Sequence, residues 1–112
     1  MPRRTTPDPL AKRIGARIRA LRKEAGLTLE KLAYESEVAS KGFLSDVEAG
    51  LARPTVETLS AIADRLEVDL LDLVTFPGES DRQRLVDRTR SLTKGTIRKL
   101  LKDMPVVDKK DR

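Results

Sequence analysis

The sequence contains no cysteine and no histidine, and its aromatic residues are limited to two phenylalanines and one tyrosine. Without cysteine there are no disulfides, no thiol nucleophile and no thiolate metal ligands. Without histidine, the commonest general base and the commonest metal ligand are missing as well. No pair of acids is marked as belonging to a cleft. We therefore predict a protein that is not an enzyme and that uses neither a metal nor a cofactor.

Long apolar stretches are also missing. No apolar run approaches the roughly 18 residues that a membrane span needs. The first residues, MPRRTTPDPL, are basic but lack the apolar segment of a signal peptide. We therefore expect a cytoplasmic protein without a membrane contact.

Charge is abundant and unevenly distributed along the 112 residues, a length that suits one domain. The net charge is +5. Residues 1–23 contain eight bases and one acid, residues 24–80 contain four bases and twelve acids, and residues 81–112 contain eleven bases and five acids. Two basic ends suit a polyanionic partner, whereas the acidic middle suits a basic one.

Helical periodicity dominates the first 76 residues, and no segment shows the alternation of a strand. Helix starts are indicated at Asp8, Thr28, Ser40, Pro54-Thr55 and Asp69, and helix ends at Gly26 and Gly50. The residues expected to face the core are Leu10, Ile14, Ile18, Leu21, Leu29, Leu32, Ala33, Phe43, Leu44, Val47, Val56, Leu59, Ile62, Ala63, Leu66, Leu70, Leu71, Leu73 and Val74. Tyr34 is expected to pack with its hydroxyl at the surface.

Pro77-Gly78 marks a boundary. Beyond it, two further amphipathic helices are predicted, the second after a Thr93 cap, from the apolar positions Leu85, Val86, Leu92, Ile97, Leu100, Leu101 and Met104, with Thr89 on the first. The predicted organisation is a flexible basic arm at residues 1–7, a five-helix domain at 8–76, a helical extension at 80–104 and a tail at 105–112.

Residues 26–54, GLTLEKLAYESEVASKGFLSDVEAGLARP, predict two short helices joined by a tight turn and followed by an exit loop. With its flanks, this segment resembles the Cro/CI-type (XRE) helix-turn-helix family of transcriptional regulators over residues 14–76. The resemblance rests on Leu21-Arg22, Gly26, Thr28, Leu32-Ala33, Ser40, Leu44-Ser45, Val47-Glu48, Gly50, Pro54 and the helix over 55–66. It implies an all-α, five-helix repressor-like fold, here followed by one or two C-terminal amphipathic helices.

Three features depart from the family's pattern. Leu29 stands where the family usually has glutamine, and Glu37 lies near the position where the turn usually holds glycine. The stretch from Ala33 to Glu48 is one residue longer than the commonest form. These departures bear on how DNA is read more than on the fold.

The resemblance implies that the third helix, residues 40–49, is a recognition helix. The predicted DNA contacts are Thr28, Leu29, Ser40, Lys41, Gly42, Phe43, Ser45, Asp46 and Arg53. Lys41 suits a phosphate or a guanine edge, the serines can donate to phosphates, and Gly42 permits close backbone approach. Asp46 can accept from a cytosine amino group. The alternative for Lys41 and Asp46 is that they only solvate an exposed face.

Other residues have two interpretations. Phe43 points either into the core, which we favour, or toward a thymine methyl. Arg3 and Arg4 on the N-terminal arm either reach into a minor groove or only solubilise the chain. The resemblance also implies an ion pair between Arg22 and Glu48, which we interpret as structural.

The patterns together predict a sequence-specific transcriptional regulator that binds double-stranded DNA on the nucleoid, with the third helix in the major groove and the basic ends adding salt-sensitive affinity. A homodimer joined through residues 81–104 is expected, because helix-turn-helix proteins commonly bind two half-sites. A regulatory protein partner is also considered. Two alternatives remain: a protein-interaction module whose acidic face binds a basic partner, and a non-specific nucleic-acid protein that uses only its basic ends.

Overall fold

Side-chain caps define where the helices begin. The computed structural model describes residues 6–37 and 40–106. These residues form helices joined by turns and loops, and they contain no strand. The helices are α1 (Pro9–Glu24), α2 (Leu29–Ser36), α3 (Lys41–Glu48), α4 (Val56–Leu66), α5 (Leu70–Leu73), α6 (Asp81–Thr89) and α7 (Lys94–Asp103). Among the predicted caps, those that accept a backbone hydrogen bond are Asp8, Thr28, Ser40, Thr55 and Thr93. The all-α class, with five helices followed by two amphipathic ones, is confirmed.

One apolar core holds α1 to α5 together. Its largest fully buried side chains are Ile18, Leu32, Leu44, Val47, Ile62 and Leu73. Neither α6 nor α7 contains a buried residue. The core therefore belongs to the first five helices, and the two later helices, which we call the extension, lie outside it.

Several residues expected in the core are exposed instead. Leu10 and Val56 are 51% and 65% exposed, because each lies in the first turn of its helix, beyond the edge of the core. Tyr34 is 84% exposed, so the prediction that it packs was wrong. The buried side of α2 is formed by Leu32, Ala33 and Ser36, and Tyr34 projects away from it.

The short α5 buries less than its composition predicts. Of its predicted core residues, only Leu73 is buried, whereas Leu70, Leu71 and Val74 are exposed. A helix of four residues makes little more than one turn, so it can present only one narrow side to the core. Its remaining leucines therefore stay on the surface.

Each of the first four helices is followed by a residue in the left-handed backbone region: Gly26, Glu37, Gly50 and Glu67. The predicted stop at Gly26 is confirmed, with φ +73°. At Gly50 φ is +78°, and an added Cβ would lie 2.7 Å from the Lys12 Cα, so glycine is required for two reasons. Glu37 ends α2 at φ 61°, in the part of the turn where the family favours glycine, and such a conformation costs roughly 1–2 kcal/mol for a residue with a side chain. Residues 38 and 39 of the turn lie outside the described residues.

Candidate nucleic-acid interface

The predicted recognition helix α3 has one buried side and one exposed side. Leu44 and Val47 are buried against the core. Lys41, Gly42 and Ser45 are exposed on the other side. Lys41 and Gly42 lie in the first turn of α3, the end that contacts base edges when a recognition helix enters the major groove.

Gly15 sets the distance between α1 and α3. A Cβ at this position would lie 2.1 Å from the Val47 carbonyl oxygen and 2.7 Å from the Glu48 carbonyl oxygen. Both neighbours are backbone atoms at the C-terminal end of α3, so they cannot move aside without shifting the helix. Gly15 therefore allows α1 to support α3 closely, a role that the sequence analysis missed.

A second contact fixes the same end of α3. Arg22 donates from Nε and Nη2 to the two carboxylate oxygens of Glu48, at 2.7 and 3.0 Å, and from Nη1 to the Leu27 carbonyl oxygen at 2.8 Å. The hydrogen bonds to Glu48 raise the pKa of Arg22. Both side chains are mostly buried, so the bidentate geometry gives α3 a fixed orientation relative to α1.

Lys41, at the N-terminal end of α3, already forms an ion pair. The Lys41 Nζ lies 2.7 Å from the Glu30 carboxylate of α2, and both side chains are 60% exposed. The hydrogen bond from Lys41 lowers the pKa of Glu30. An ion pair this exposed is worth little, because water and salt screen it. A phosphate can therefore replace Glu30 as the partner of Lys41 at small cost.

The hydroxyls of Thr28 and Ser40, two of the predicted DNA contacts, cap the helices that follow them. The Thr28 Oγ1 accepts from the Lys31 N–H, and the Ser40 Oγ accepts from the Phe43 N–H, each at 3.1 Å. Each hydroxyl oxygen thus acts as an acceptor within its own helix. The Ser40 O–H can donate outward, for example to a phosphate, whereas the Thr28 side chain also hydrogen-bonds to Glu30. Leu29 beside Thr28 is half-buried and packs against the core.

Two further predicted contacts on α3 are only half exposed. Phe43 packs against the apolar core, in agreement with the favoured interpretation, and part of its ring remains accessible. Asp46 is half-buried on the same helix. Ser45, between them, is exposed.

Arg53, another predicted contact, lies near the start of α1. Arg53 donates from Nη2 to the Asp8 carboxylate at 3.0 Å, and its side chain is 51% exposed. The other Asp8 oxygen caps α1 through the Ala11 N–H. Arg53 therefore has an internal partner in addition to the predicted phosphate contact. Arg3 and Arg4 lie outside the described residues.

An ion-pair cluster that the sequence analysis did not find holds α6 on α1. Arg17 donates to the Asp72 carbonyl oxygen at 2.8 Å and to the Asp87 carboxylate at 2.6 Å. Arg90 donates to the same Asp87 oxygen at 2.8 Å and to Glu24 at 2.9 Å. Burial raises the pKa of Asp87, but the hydrogen bonds from the two arginines outweigh it, so the pKa is lowered overall.

The extension and α3 lie on opposite sides of α1. Gly15 touches α3, whereas Arg17 and Glu24 bind α6 and its C-cap, and Arg13 binds Glu79 just before α6. A helix turns by about 100° per residue, which places Arg13, Arg17 and Glu24 roughly 160–180° from Gly15. α6 therefore lies across α1 from α3.

Nothing in the described part of the chain adds a metal site or a membrane span. Residues 6–37 and 40–106 contain no group of three or more acids that could hold a metal ion. No helix within these ranges is long and apolar enough to cross a membrane.

The fold and the site together define a helix-turn-helix protein, in which the second of two short helices is exposed at its leading end and fixed at its other end. A family model described as a helix-turn-helix domain matches residues 13–75. The chain belongs to this family, and its resemblance to the Cro/CI-type regulators is confirmed.

Individual relatives agree with this assignment. The chain is 39% identical over 66 residues to the HTH-type transcriptional regulator DdrOP3 of Deinococcus deserti, covering 56% of this chain and 50% of that protein. It is 43% identical over 61 residues to the HTH-type transcriptional regulator SlrR of Bacillus subtilis, covering 54% and 40%. A solved structure of a SinR–SinI protein complex matches at 30% identity with a TM-score of 0.59, covering 80% of this chain and 91% of that one. The chain thus spans half or less of the two curated relatives.

Proposed function

We propose that the protein is a transcriptional regulator that binds double-stranded DNA sequence-specifically through α3. The observation that carries this proposal is the exposed leading end of α3, supported at its other end by Gly15 and the Arg22–Glu48 pair. In this arrangement residues 8–76 form the DNA-binding domain, α3 enters the major groove and α2 crosses the backbone. The relatives support a regulator, since DdrOP3 and SlrR are both named transcriptional regulators.

The individual contacts follow from the geometry of the site. Lys41 exchanges Glu30 for a phosphate or a guanine edge, and Ser45 donates to the backbone beside it. The hydroxyls of Thr28 and Ser40, which cap α2 and α3, donate to phosphates. Gly42 has no atom within 4 Å of an added Cβ, so its bare backbone is open to the groove.

Salt-sensitive affinity is assigned to α3, Arg53 and the N-terminal arm with Arg3 and Arg4. The extension contributes little to the same duplex, because it lies across α1 from α3. This proposal differs from the expectation that both basic ends add salt-sensitive affinity. The extension, residues 80–104, is instead proposed to join two copies into a homodimer that spans two half-sites.

Other interpretations receive less support. The acidic middle of the chain and the Lys41–Glu30 pair are the observations that favour a protein-interaction module. That pair is exposed, however, so a phosphate can replace Glu30 as the partner of Lys41. The SinR–SinI complex shows a protein partner for that neighbour, and a regulatory protein partner for this chain is a corresponding proposal. The site of action would be the nucleoid, in the cytoplasm.

Affinity for duplex DNA tests the proposal. A preferred sequence is first selected from random duplexes, and its affinity is then measured against salt for wild type, Lys41→Ala and Lys23→Ala. Lys41→Ala is expected to weaken the preferred site about fivefold to a hundredfold, because a base or phosphate contact is lost. Lys23→Ala removes the same charge from an exposed position of α1, outside both α3 and the extension, and should leave the affinity unchanged.

Deleting residues 1–7 should mainly flatten the dependence of affinity on salt. A chain that prefers no sequence over random DNA contradicts the proposed regulator and favours the interaction module. Loss of binding on arm deletion alone, with Lys41→Ala silent, favours the non-specific alternative.

A further inference from the structure

α7 presents an apolar stripe that the described part of the chain leaves largely uncovered. Its members recur at helical spacing: Ile97, Leu100, Leu101 and Met104. Leu101 is 65% exposed and Met104 is 52% exposed. Four bases flank the stripe, and none forms an ion pair with another described residue: Lys94, Arg98, Lys99 and Lys102. The surface of α7 is therefore both apolar and strongly basic.

A groove of about 480 Å³ offers the opposite charge. It lies between α1, α4, α5, α6 and the start of α7, and its apolar lining includes Leu21, Leu66, Val68, Leu71 and Val86. Its charged lining consists of four acids, Glu24, Glu67, Asp69 and Asp72, and one base, Arg90, which is paired with Glu24. Asp64 lies one helical turn before Glu67 and is also exposed. The groove thus combines an apolar floor with an acidic rim.

We propose that α7 of a second copy of the chain occupies this groove, and that the contact is reciprocal, each copy giving its α7 and receiving the other's. This specifies the interface of the homodimer proposed above and rests on that part of the proposed function. Leu100, Leu101 and Met104 of the stripe lie on the floor of the groove, and Arg98 and Lys102 face Asp64 and Glu67. A two-fold axis makes both contacts identical.

Charge decides between this arrangement and the other ways to cover α7. Direct pairing of two α7 helices would bring two sets of lysines and arginines together, and like charges across a contact are unfavourable. A polyanion would satisfy the bases but leave Leu101 and Met104 in water. Within one chain, the groove includes only Ile97 from α7, so the later turns of that helix remain uncovered.

Charge reversal on each surface tests the contact. The groove variant is Asp64→Lys/Glu67→Lys, and the α7 variant is Arg98→Glu/Lys102→Glu. All four side chains are exposed and form no ion pair with another described residue, so each variant is expected to fold. The control is Arg19→Glu/Lys23→Glu, which has the same spacing and charge change on a side of α1 that does not line the groove.

Sedimentation equilibrium should give a dimer for wild type that weakens between about 0.1 M and 1 M salt, because screening shortens the range of charge interactions. Each reversed variant should raise the dissociation constant about tenfold or more, since attraction becomes repulsion in both symmetric contacts. The control variant should match wild type. Circular dichroism confirms that each variant remains helical.

Mixing the two reversed variants gives the sharpest result. A groove variant paired with an α7 variant has opposite charges in both contacts, so the mixture should form heterodimers although neither chain dimerises alone. A dimer that survives unchanged in the groove variant would point to another interface, such as α7–α7 pairing, and overturn the proposal. Monomers in the mixture, with dimeric wild type, leave the dimer in place but reject this interface.

A monomeric wild type rejects both the interface and the dimer, while leaving DNA recognition by α3 to its own test. If the α7 variant instead loses affinity for a random duplex while the groove variant stays dimeric, α7 binds a polyanion, and the proposal fails.

Discussion

The five-helix domain and the extension are held in place by different forces. In the domain, apolar side chains such as Ile18, Leu44 and Ile62 are fully buried. In the extension no residue is buried, and α6 is fixed through Arg17, Asp87 and Arg90. Apolar burial depends little on salt or pH, whereas paired charges respond to both. The domain should therefore keep its shape under conditions that release the extension.

Replacing a leucine by alanine should change the free energy of unfolding very differently in the two regions, and this is the largest expected effect. Leu44→Ala in α3 should lower the free energy of unfolding by about 2–5 kcal/mol, because it leaves a cavity in a closely packed core. Leu101→Ala in α7 should change it by less than about 0.5 kcal/mol, since that side chain is mostly in water. Urea unfolding of the two variants measures both values under conditions that keep the chain monomeric. Equal losses would contradict the contrast between the regions.

Two helix glycines sharpen the comparison, because the same substitution should act in opposite directions. Gly15→Ala places a Cβ 2.1 Å from the Val47 carbonyl oxygen, so α1 and α3 must separate, at a cost of about 1–3 kcal/mol. Gly95→Ala meets nothing closer than 4.0 Å and should stabilise α7 by a few tenths of a kcal/mol to about 1 kcal/mol. Thermal unfolding gives the sign of each change. A neutral Gly15→Ala would mean that α1 does not constrain α3.

Acid should loosen the extension before the domain, and this is the smallest expected effect. The folded protein lowers the pKa of Asp87 and of Glu24, the latter through its hydrogen bond with Arg90. A lowered pKa stabilises the docked form above the ordinary carboxylate value near about 4, and this contribution is lost as the pH falls through the lower folded value. Hydrogen exchange should then show α6 amides losing protection at a higher pH than α4 amides.

Asp87→Asn is the matched variant for this measurement. It removes the charge while keeping the size of the side chain, so α6 should exchange faster at neutral pH and depend less on acid. Simultaneous loss of protection in α4 and α6 would show that the extension belongs to the cooperative unit of the domain.

The local features of the fold were predictable from the sequence because they depend on neighbouring residues. Caps such as Thr28 and Ser40 act within three residues, and the apolar stripe of α4 follows from its own spacing. The prediction of a core position was wrong for Leu10 and Val56, which fit the helical pattern but lie beyond the edge of the core. Periodicity shows which side of a helix is apolar, but not how far its partners extend.

Contacts between distant segments were harder to predict. The Arg22–Glu48 pair came from the family resemblance, not from spacing. Arg17 and Asp87 are 70 residues apart, and nothing in the local sequence pattern indicates that they meet. The pairing of Lys41 with Glu30 likewise needs the relative placement of α2 and α3.

α1 is a single helix of sixteen residues that contacts α3 on one side and α6 on the other. The Gly15 contact with α3 does not involve Arg17 or Glu24, which bind α6 and its C-cap. Substitutions that release α6 should therefore leave the packing of α1 against α3 intact, so that the two sides of α1 can change independently.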